Sequence, residues 1–369
     1  MFRIHFPYFD PSKDVLPLAA ACGIGRRGPS AGVTAKRFEN LNAEARKYFE
    51  ATPVEEAQLV FYPHCFYQGG DAARAAQLAR QYDLPCIFVK HGDDPNGAGA
   101  DYGTVFHESL FASRRRQNER VIPPFVDDPL HATEQNLQIR EKRDRPLVGF
   151  CGFTGSAFAF PVYSVLRPEK LTGLLLRRRA IRALKKSKAC ETAFILRSQY
   201  WGGALGLTER RIKALFAKVS GASGPIDLSR NLETEARVHR EFVRNILDTD
   251  YTLCIRGAGN YSYRFYEVLA AGRIPVFVNT DCELPFSDRI DWKRHCVWVG
   301  QNSLDRIGDA VAAFHSALTP AAFRDLQREN RRLYETYFTP LNYYRTLLAG
   351  FVREPIGSQP IGREPIGQR

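Results

Sequence analysis

The residues best suited to chemistry crowd into one stretch, Tyr251 to Val278, YTLCIRGAGNYSYRFYEVLAAGRIPVFV. Arg256 and Arg264 bracket Gly257, Asn260 and Ser262, and Glu267 follows one helical turn later. A glycine turn running into a helix N-terminus presents free N–H groups and partial positive charge. Two guanidiniums beside it make a place for a phosphate-bearing ligand. Glu267 is able to accept hydrogen bonds from vicinal hydroxyls such as those of a ribose. The competing reading is a surface Arg–Glu pair at i, i+3, worth only a few tenths of a kcal/mol. Spacing alone does not separate the two, because a lone glycine loop before a helix is common.

The same stretch predicts the elements that position those groups. Leu253 to Ile255 reads as a short apolar strand leading into the turn, and a helix begins near Ser262, with Asn260 or Ser262 as its cap. The helix ends at Gly272, which suits the left-handed residue beyond a C-terminus. Ile274 to Val278 is the next strand, with Pro275 near its start, where proline is tolerated. Phe265, Val268 and Leu269, at i, i+3 and i+4, face a sheet, whereas Arg264 and Glu267 lie on another side.

Upstream, Gln58–Tyr62 and Pro85–Lys90 read as buried strands flanking a helix over Asp71–Tyr82, a βαβ pattern. Thr104–Ser109 and Arg120–Phe125 read as further strands. Asp127-Asp128-Pro129 supplies a turn, and the polar stretch from His131 to Arg145 reads as a linker. Beyond it come a strand at Leu147, a basic helix, a strand over Ala193–Arg197 and a helix over Glu233–Leu247, an alternation that predicts a parallel sheet. A chain of 369 residues is too long for one core and suits two domains. The boundaries are 1–145, 146–318, a helical 319–352 and a tail, 353–369, that repeats Pro-Ile-Gly from Pro355, Pro360 and Pro365. Proline and glycine at that density cannot continue a helix or central strand, so the tail reads as disordered.

Several separated blocks, in this order, resemble the C-terminal half of exostosin-type glycosyltransferases: Arg256-Gly257, Ser262-Tyr263-Arg264, Glu267, Gly272-Arg273-Ile274-Pro275-Val276, Glu283-Leu284-Pro285-Phe286-Ser287 and Asp291-Trp292. The family typically has cysteine where Arg273 stands. Leu147–Gly155, LVGFCGFTG, is similar to the strand and loop that open the family's donor-binding domain. The resemblance spans residues 146 to 315 and is faint before that. It implies an α/β fold of GT-B type, two Rossmann-like domains facing each other across a cleft, with the acceptor side in the first domain and the C-terminal helices of 319–352 packing back on that domain. It also implies inverting transfer from a nucleotide-sugar, a UDP-sugar, to a hydroxyl of a glycan or lipid-linked acceptor, hexosyl and glycuronosyl transfer both remaining open.

On that implication Arg256, Arg264 and the N–H groups from Gly257 through Asn260 to Ser262 bind the diphosphate, Glu267 binds the ribose, and Gly152, Phe153 and Thr154 line the pocket's other wall. Because cationic groups can replace a divalent ion, neither a metal nor another cofactor is expected, with Asp93-Asp94 the acidic pair weighed against that. Inverting transfer needs a side chain that takes the acceptor's proton. By position, the candidates are His91 and Asp93, on the loop Lys90–Pro95, and His64 after the preceding strand. Each has a plainer reading: Asp-Asp-Pro is ordinary turn chemistry, and a histidine among aromatics is more often a satisfied, partly buried residue.

Composition limits the alternatives. An apolar fraction of 44% and a charged fraction of 25% are those of a soluble globular protein. The net charge of +12 gathers in Arg114-Arg115-Arg116 and in Arg177, Arg178, Arg179, Arg182, Lys185 and Lys186. In the second run Leu171, Leu174, Leu175, Ile181 and Leu184 form a helical stripe, which would put the positive residues on the opposite face. That face is either solvated or drawn to an anionic membrane surface. Nucleic acid is not expected, since no aromatic platform, helix-turn-helix pattern or zinc knuckle accompanies the charge. The 8 cysteines lack CxxC spacing and read as reduced packing residues. No N-terminal apolar run is long enough for a signal or a span, which predicts a cytoplasmic address, with peripheral contact at the inner membrane face if the basic helix meets lipid. Two other classes stay open: a nucleotide-sugar epimerase, which would form product without an acceptor, and a noncatalytic carbohydrate- or nucleic-acid-binding protein, which would release no nucleotide.

Overall fold

The computed structural model describes residues 1–25, 35–66, 70–97, 99–155, 168–197 and 232–352. Its strands fall into two wholly parallel sheets. The first holds β1 (Phe2–His5), β2 (Phe49–Ala51), β3 (Leu59–Cys65), β4 (Cys86–Lys90), β5 (Thr104–His107) and β6 (Glu119–Val121), in the order β2-β1-β3-β4-β5-β6. Leu59–Phe61 and Ile87–Val89 are buried because both faces of a parallel sheet are covered. Helices α1 (Pro17–Ala21) and α2 (Glu39–Glu44) pack on the face bearing Phe61, Ile87 and Val89. Helix α3 (Gly70–Gln81) buries Ala72, Ala75, Ala76 and Ala79 on the face bearing Val60 and Phe88.

A single turn, α4 (Pro129–Ala132), capped by Asp128, precedes the connection to the second domain. That connection, the stretch read as a linker, is pinned to the second domain. Arg140 donates its N–H to Gln327 and accepts from the Gln327 amide, both at 2.9 Å, and pairs with the buried Asp250 at 2.9 Å.

The second sheet holds β7 (Leu147–Phe153), β8 (Glu191–Arg197), β9 (Tyr251–Cys254), β10 (Ile274–Asn279) and β11 (Val297–Gly300), in the order β11-β10-β9-β7-β8. The chain leaves β7 in one direction for β8 and returns on its other side as β9. At this switch point the loops beyond the two strands diverge and open a crevice, the usual place for a ligand in such sheets. Pro275 lies one residue before the β10–β11 ladder starts at Val276, so its missing N–H is tolerated. The helices are α5 (Pro168–Lys186), α6 (Leu232–Leu247), α7 (Tyr263–Ala270), α8 (Trp292–His295), α9 (Ile307–Ala317), α10 (Pro320–Tyr337) and α11 (Pro340–Ala349). Two Rossmann-like sheets in one chain, with the last helix returning to the first, make a GT-B-like α/β architecture.

Two expectations need correction here. The helical region 319–352 does not pack as one unit on the first domain. Phe323 and Leu326 of α10 join the second sheet's core, and Leu333 and Tyr334 pack with Phe265 and Leu269. Only α11 crosses, where Tyr343, Tyr344, Leu347 and Leu348 enter the core of Ile4, Phe61 and Phe125; Pro340 at its start cannot extend α10 and redirects the chain. Helix α5 is also turned relative to its leucine stripe. Leu174, Ile181 and Leu184 are buried, but Leu175 is 51% exposed, and Gly173 and Ala180 take its place on the inner face. The Pro-Ile-Gly tail lies outside the described residues.

Candidate functional site

The turn after β9 crosses the switch point and delivers α7. Ser262 has the extended backbone of an N-cap, but its side chain makes no capping hydrogen bond. Asn260, the other expected cap, is used elsewhere: its amide donates to Leu110 O at 2.9 Å and Asp281 O at 3.1 Å, and its oxygen accepts from Thr280 at 2.6 Å. The first turn of α7 therefore keeps N–H donors with no side-chain cap, in a helix long enough to carry a dipole. Gly272 closes α7 at φ +60°, a conformation that favours glycine.

Arg264 leans from α7 onto the end of β7. It donates to Cys151 O at 2.6 Å, its guanidinium lies 4.4 Å from the Phe150 ring and 5.3 Å from the Phe242 ring, and its Nε is buried with no hydrogen-bond partner. Gly152 makes room for it, since a Cβ there would sit 2.8 Å from Arg264 Nη2. Glu267, one turn on, is half-buried, and no described group hydrogen-bonds its carboxylate. Burial pushes that carboxyl up to about 7, opposed by Arg264, reinforced by Asp127 and opposed again by Arg37.

Arg256 is placed differently from the anion-binding role predicted for it. It is 7% exposed, donates to Ala258 O at 2.6 Å and Asn260 Oδ1 at 3.3 Å, and lies over Phe111. Its charge braces the glycine turn from inside because that turn's own carbonyls face it.

The opposite wall, Gly152-Phe153-Thr154, is held by α5. Arg177 donates to Phe153 O at 2.5 Å and to Arg256 O at 3.3 Å, so one side chain ties the loops beyond β7 and β9 together. Arg178 donates to Thr154 O at 2.8 Å and Gly155 O at 3.2 Å, and Arg179 pairs with Asp305. Gly173 touches the glycine turn directly: a Cβ there would lie 2.1 Å from Gly257 O. Two of the six basic residues expected on an outer face, Arg177 and Arg178, thus serve the pocket, because part of the inner face of α5 meets loop carbonyls as well as apolar side chains. Arg182, Lys185 and Lys186 remain exposed.

From the first domain, His91 Nδ1 meets Glu108 Oε1 at 2.8 Å, while Glu108 Oε2 accepts the Gly92 N–H at 3.0 Å. Glu108 is buried and fixes the ring, so a neutral His91 donating from Nδ1 keeps Nε2 as an acceptor. Glu108 was missed from sequence; its only signal is an acid closing an apolar strand, Thr104–His107. His64 is not a free base. Its Nδ1 reaches Asp14 O at 3.0 Å and its Nε2 accepts from Asp10 N at 2.9 Å, so both ring nitrogens are used. Asp93 turns away from the ring and accepts from Gly259 N and Tyr261 OH, each at 3.1 Å. Asp94 pairs with Lys90 at 2.8 Å, which holds its carboxyl below the usual range.

These contacts press the dyad against α7. The segment after it continues the seam: Asn260 N donates to Ser109 at 2.9 Å, Phe111 bridges Cys282 antiparallel, Ala112 N donates to Asp281 O at 2.8 Å, and Arg115 pairs with Glu283 at 3.0 Å. The space left between Glu108, Pro124, Tyr261, Ser262 and Leu284 is about 10 Å³, room for about one water.

Residues 199–314 match the family model described as the Exostosin GT47 domain. The similarity to an exostosin-type domain is confined to that stretch, less than half of the chain. That domain contains β9, α7 and every site residue from Arg256 to Glu267, whereas Gly152–Thr154, His91 and Glu108 precede it. The chain is 33% identical over 105 residues to Exostosin-1 of Drosophila melanogaster, covering 27% of this chain and 13% of that protein. It is 32% identical over 109 residues to Exostosin-1b of Danio rerio and 31% identical over 109 residues to Exostosin-1 of Bos taurus, in each case covering 30% of this chain and 14% of the relative. The exostosin-type similarity thus spans a small part of those relatives' length. A solved structure titled "Crystal Structure of CalG4, the Calicheamicin Glycosyltransferase" aligns over 95% of this chain and 98% of that one, with a TM-score of 0.33 and 14% identity, too distant to add to what the two sheets themselves say.

Proposed function

We propose that the protein is an inverting glycosyltransferase that moves a sugar from a nucleotide-sugar, a UDP-sugar, to a hydroxyl of a glycan or lipid-linked acceptor. One observation carries this reading: the His91–Glu108 pair of the first domain is held against the uncapped start of α7, whose Arg264 and Glu267 lie inside the exostosin-type segment. The diphosphate sits on the first-turn N–H groups of α7 and the Arg264 guanidinium, and Glu267 accepts hydrogen bonds from the ribose. The acceptor oxygen then bonds to the sugar C1 opposite the C1–O bond that breaks. Its proton passes to His91 Nε2, and the bonding pair leaves with the nucleoside diphosphate, whose charge Arg264 and the helix donors stabilise. Glu108 stabilises the imidazolium so formed. On this reading no metal or other cofactor takes part. The setting is cytoplasmic, with Arg182, Lys185 and Lys186 touching anionic lipid at the inner membrane face.

A thermal-shift screen of nucleotide sugars tests the reading, since a ligand that binds only the native state raises its apparent stability. The donor so found should release its nucleotide only when acceptor is added. Product formed without acceptor would point to an epimerase, and binding without release to a noncatalytic role.

Glu267 gives the site a pH dependence. Its carboxyl, raised to about 7, is largely protonated at pH 6 and ionised at pH 8. Ribose hydroxyls donate better to the ionised form, so UDP affinity rises with pH through that window and binding releases protons. Calorimetry in buffers of different ionisation enthalpy measures both, and Glu267→Gln should flatten the profile.

Gly173 makes a second demand on the pocket. Gly173→Ala forces the Arg256-Gly257 backbone outward, and a displacement on the order of 1 Å costs roughly 100-fold in turnover. Leu175→Ala, on the exposed side of α5, is the control. Equal steady-state rates for the two variants would show that α5 does not set the turn.

A further inference from the structure

We infer that Asp93 is a positioning residue, clasping the loop that carries His91 to the glycine turn ahead of α7. The inference rests on the transferase reading above, because it assigns what holds the base against the donor site. Asp93 Oδ1 accepts from Gly259 N and Tyr261 OH across the domain seam, each at 3.1 Å. Its backbone carbonyl accepts from Ser109 Oγ at 3.1 Å, and the same Oγ accepts from Asn260 N at 2.9 Å, so a second bridge runs parallel to the first.

Gly259 is built for this approach. A Cβ there would sit 2.3 Å from the Tyr261 ring and 2.9 Å from Asp93 Oδ1, so any side chain would prise the clasp open. On the other flank of the loop, Gly92 turns at φ +112° and gives its N–H to Glu108. His91 is thereby gripped twice: Glu108 fixes its ring, and Asp93 fixes its loop to the element that holds the diphosphate. Carboxylate chemistry is not needed for this task. The amide oxygen of an asparagine would accept both hydrogen bonds equally but could not serve as a proton acceptor at neutral pH.

The test compares Asp93→Asn with Asp93→Ala, following kcat, its pH profile, donor affinity and amide exchange at Gly259. Asp93→Ala should speed exchange at Gly259 and lower kcat roughly tenfold or more, with donor affinity preserved because that site lies wholly in the second domain. Asp93→Asn should restore both, with the acid limb of the pH profile unmoved. Should the alanine variant fail to fold, Ser109→Ala, which removes the parallel bridge, is read in the same way. An asparagine variant as slow as the alanine variant overturns the inference, as does wild-type kcat in the alanine variant. If the wild-type protein transfers no sugar, the functional reading fails on its own. Exchange at Gly259 still decides the clasp, since an unprotected Gly259 amide in the wild type would refute it.

Discussion

His91→Gln should lower kcat by about 100- to 10,000-fold while leaving UDP affinity unchanged, the range that loss of a general base produces. Glutamine keeps the polarity and much of the volume but cannot take a proton. Glu108→Gln should lose nearly as much, for a different reason. The amide that this substitution introduces can donate to Nδ1, which turns Nε2 into the protonated nitrogen and removes the acceptor that faces the substrate. Glu108 is buried and, among the described residues, its carboxylate bonds His91 and the Gly92 N–H, so its effect passes through the imidazole and the loop that carries it. Single-turnover rates at saturating donor, set beside calorimetric UDP affinity, separate the chemical step from binding. Comparable rates for wild type and His91→Gln would remove the dyad from the mechanism.

Arg264→Ala is the second large effect. Charge builds on the leaving diphosphate as C1–O breaks, and removing one preorganised donor at such a place costs about 100- to 1,000-fold in kcat. Lysine should rescue only part, because the guanidinium is also stacked between Phe150 and Phe242 and bonded to Cys151 O, a planar arrangement that an ammonium cannot reproduce. The fold should survive, since Phe265, Val268 and Leu269, not Arg264, hold α7 on its sheet. Loss of kcat with an unchanged melting temperature is the expected pattern. A wild-type rate in Arg264→Ala would strip the residue of its role.

The parts of the fold set by local pattern were legible in the sequence. Short apolar runs bounded by turn residues gave β3, β4, β9 and β10, and glycine after an apolar helical face marked the end of α7 at Gly272. What escaped depends on partners far away in the chain. Glu108 and His91 lie on different loops, and nothing local in either says that they meet. Asp93 reads as turn chemistry until Gly259, more than a hundred and sixty residues later, is placed against it. The basic helix misled for a related reason. A stripe of leucines identifies a buried face only when that whole face meets apolar side chains, and here Gly173 and Arg177 face the carbonyls of two loops. Helix α10 escaped too, because periodicity shows which side is buried but not against which domain.

A crystal structure with UDP bound tests the central claim most directly. The pyrophosphate should lie within hydrogen-bond reach of the N–H groups of Tyr263 and Arg264 and of the Arg264 guanidinium, with the ribose on Glu267 and His91 Nε2 beyond the sugar's place, on the side opposite the leaving group. UDP bound elsewhere, with the start of α7 empty, would contradict it.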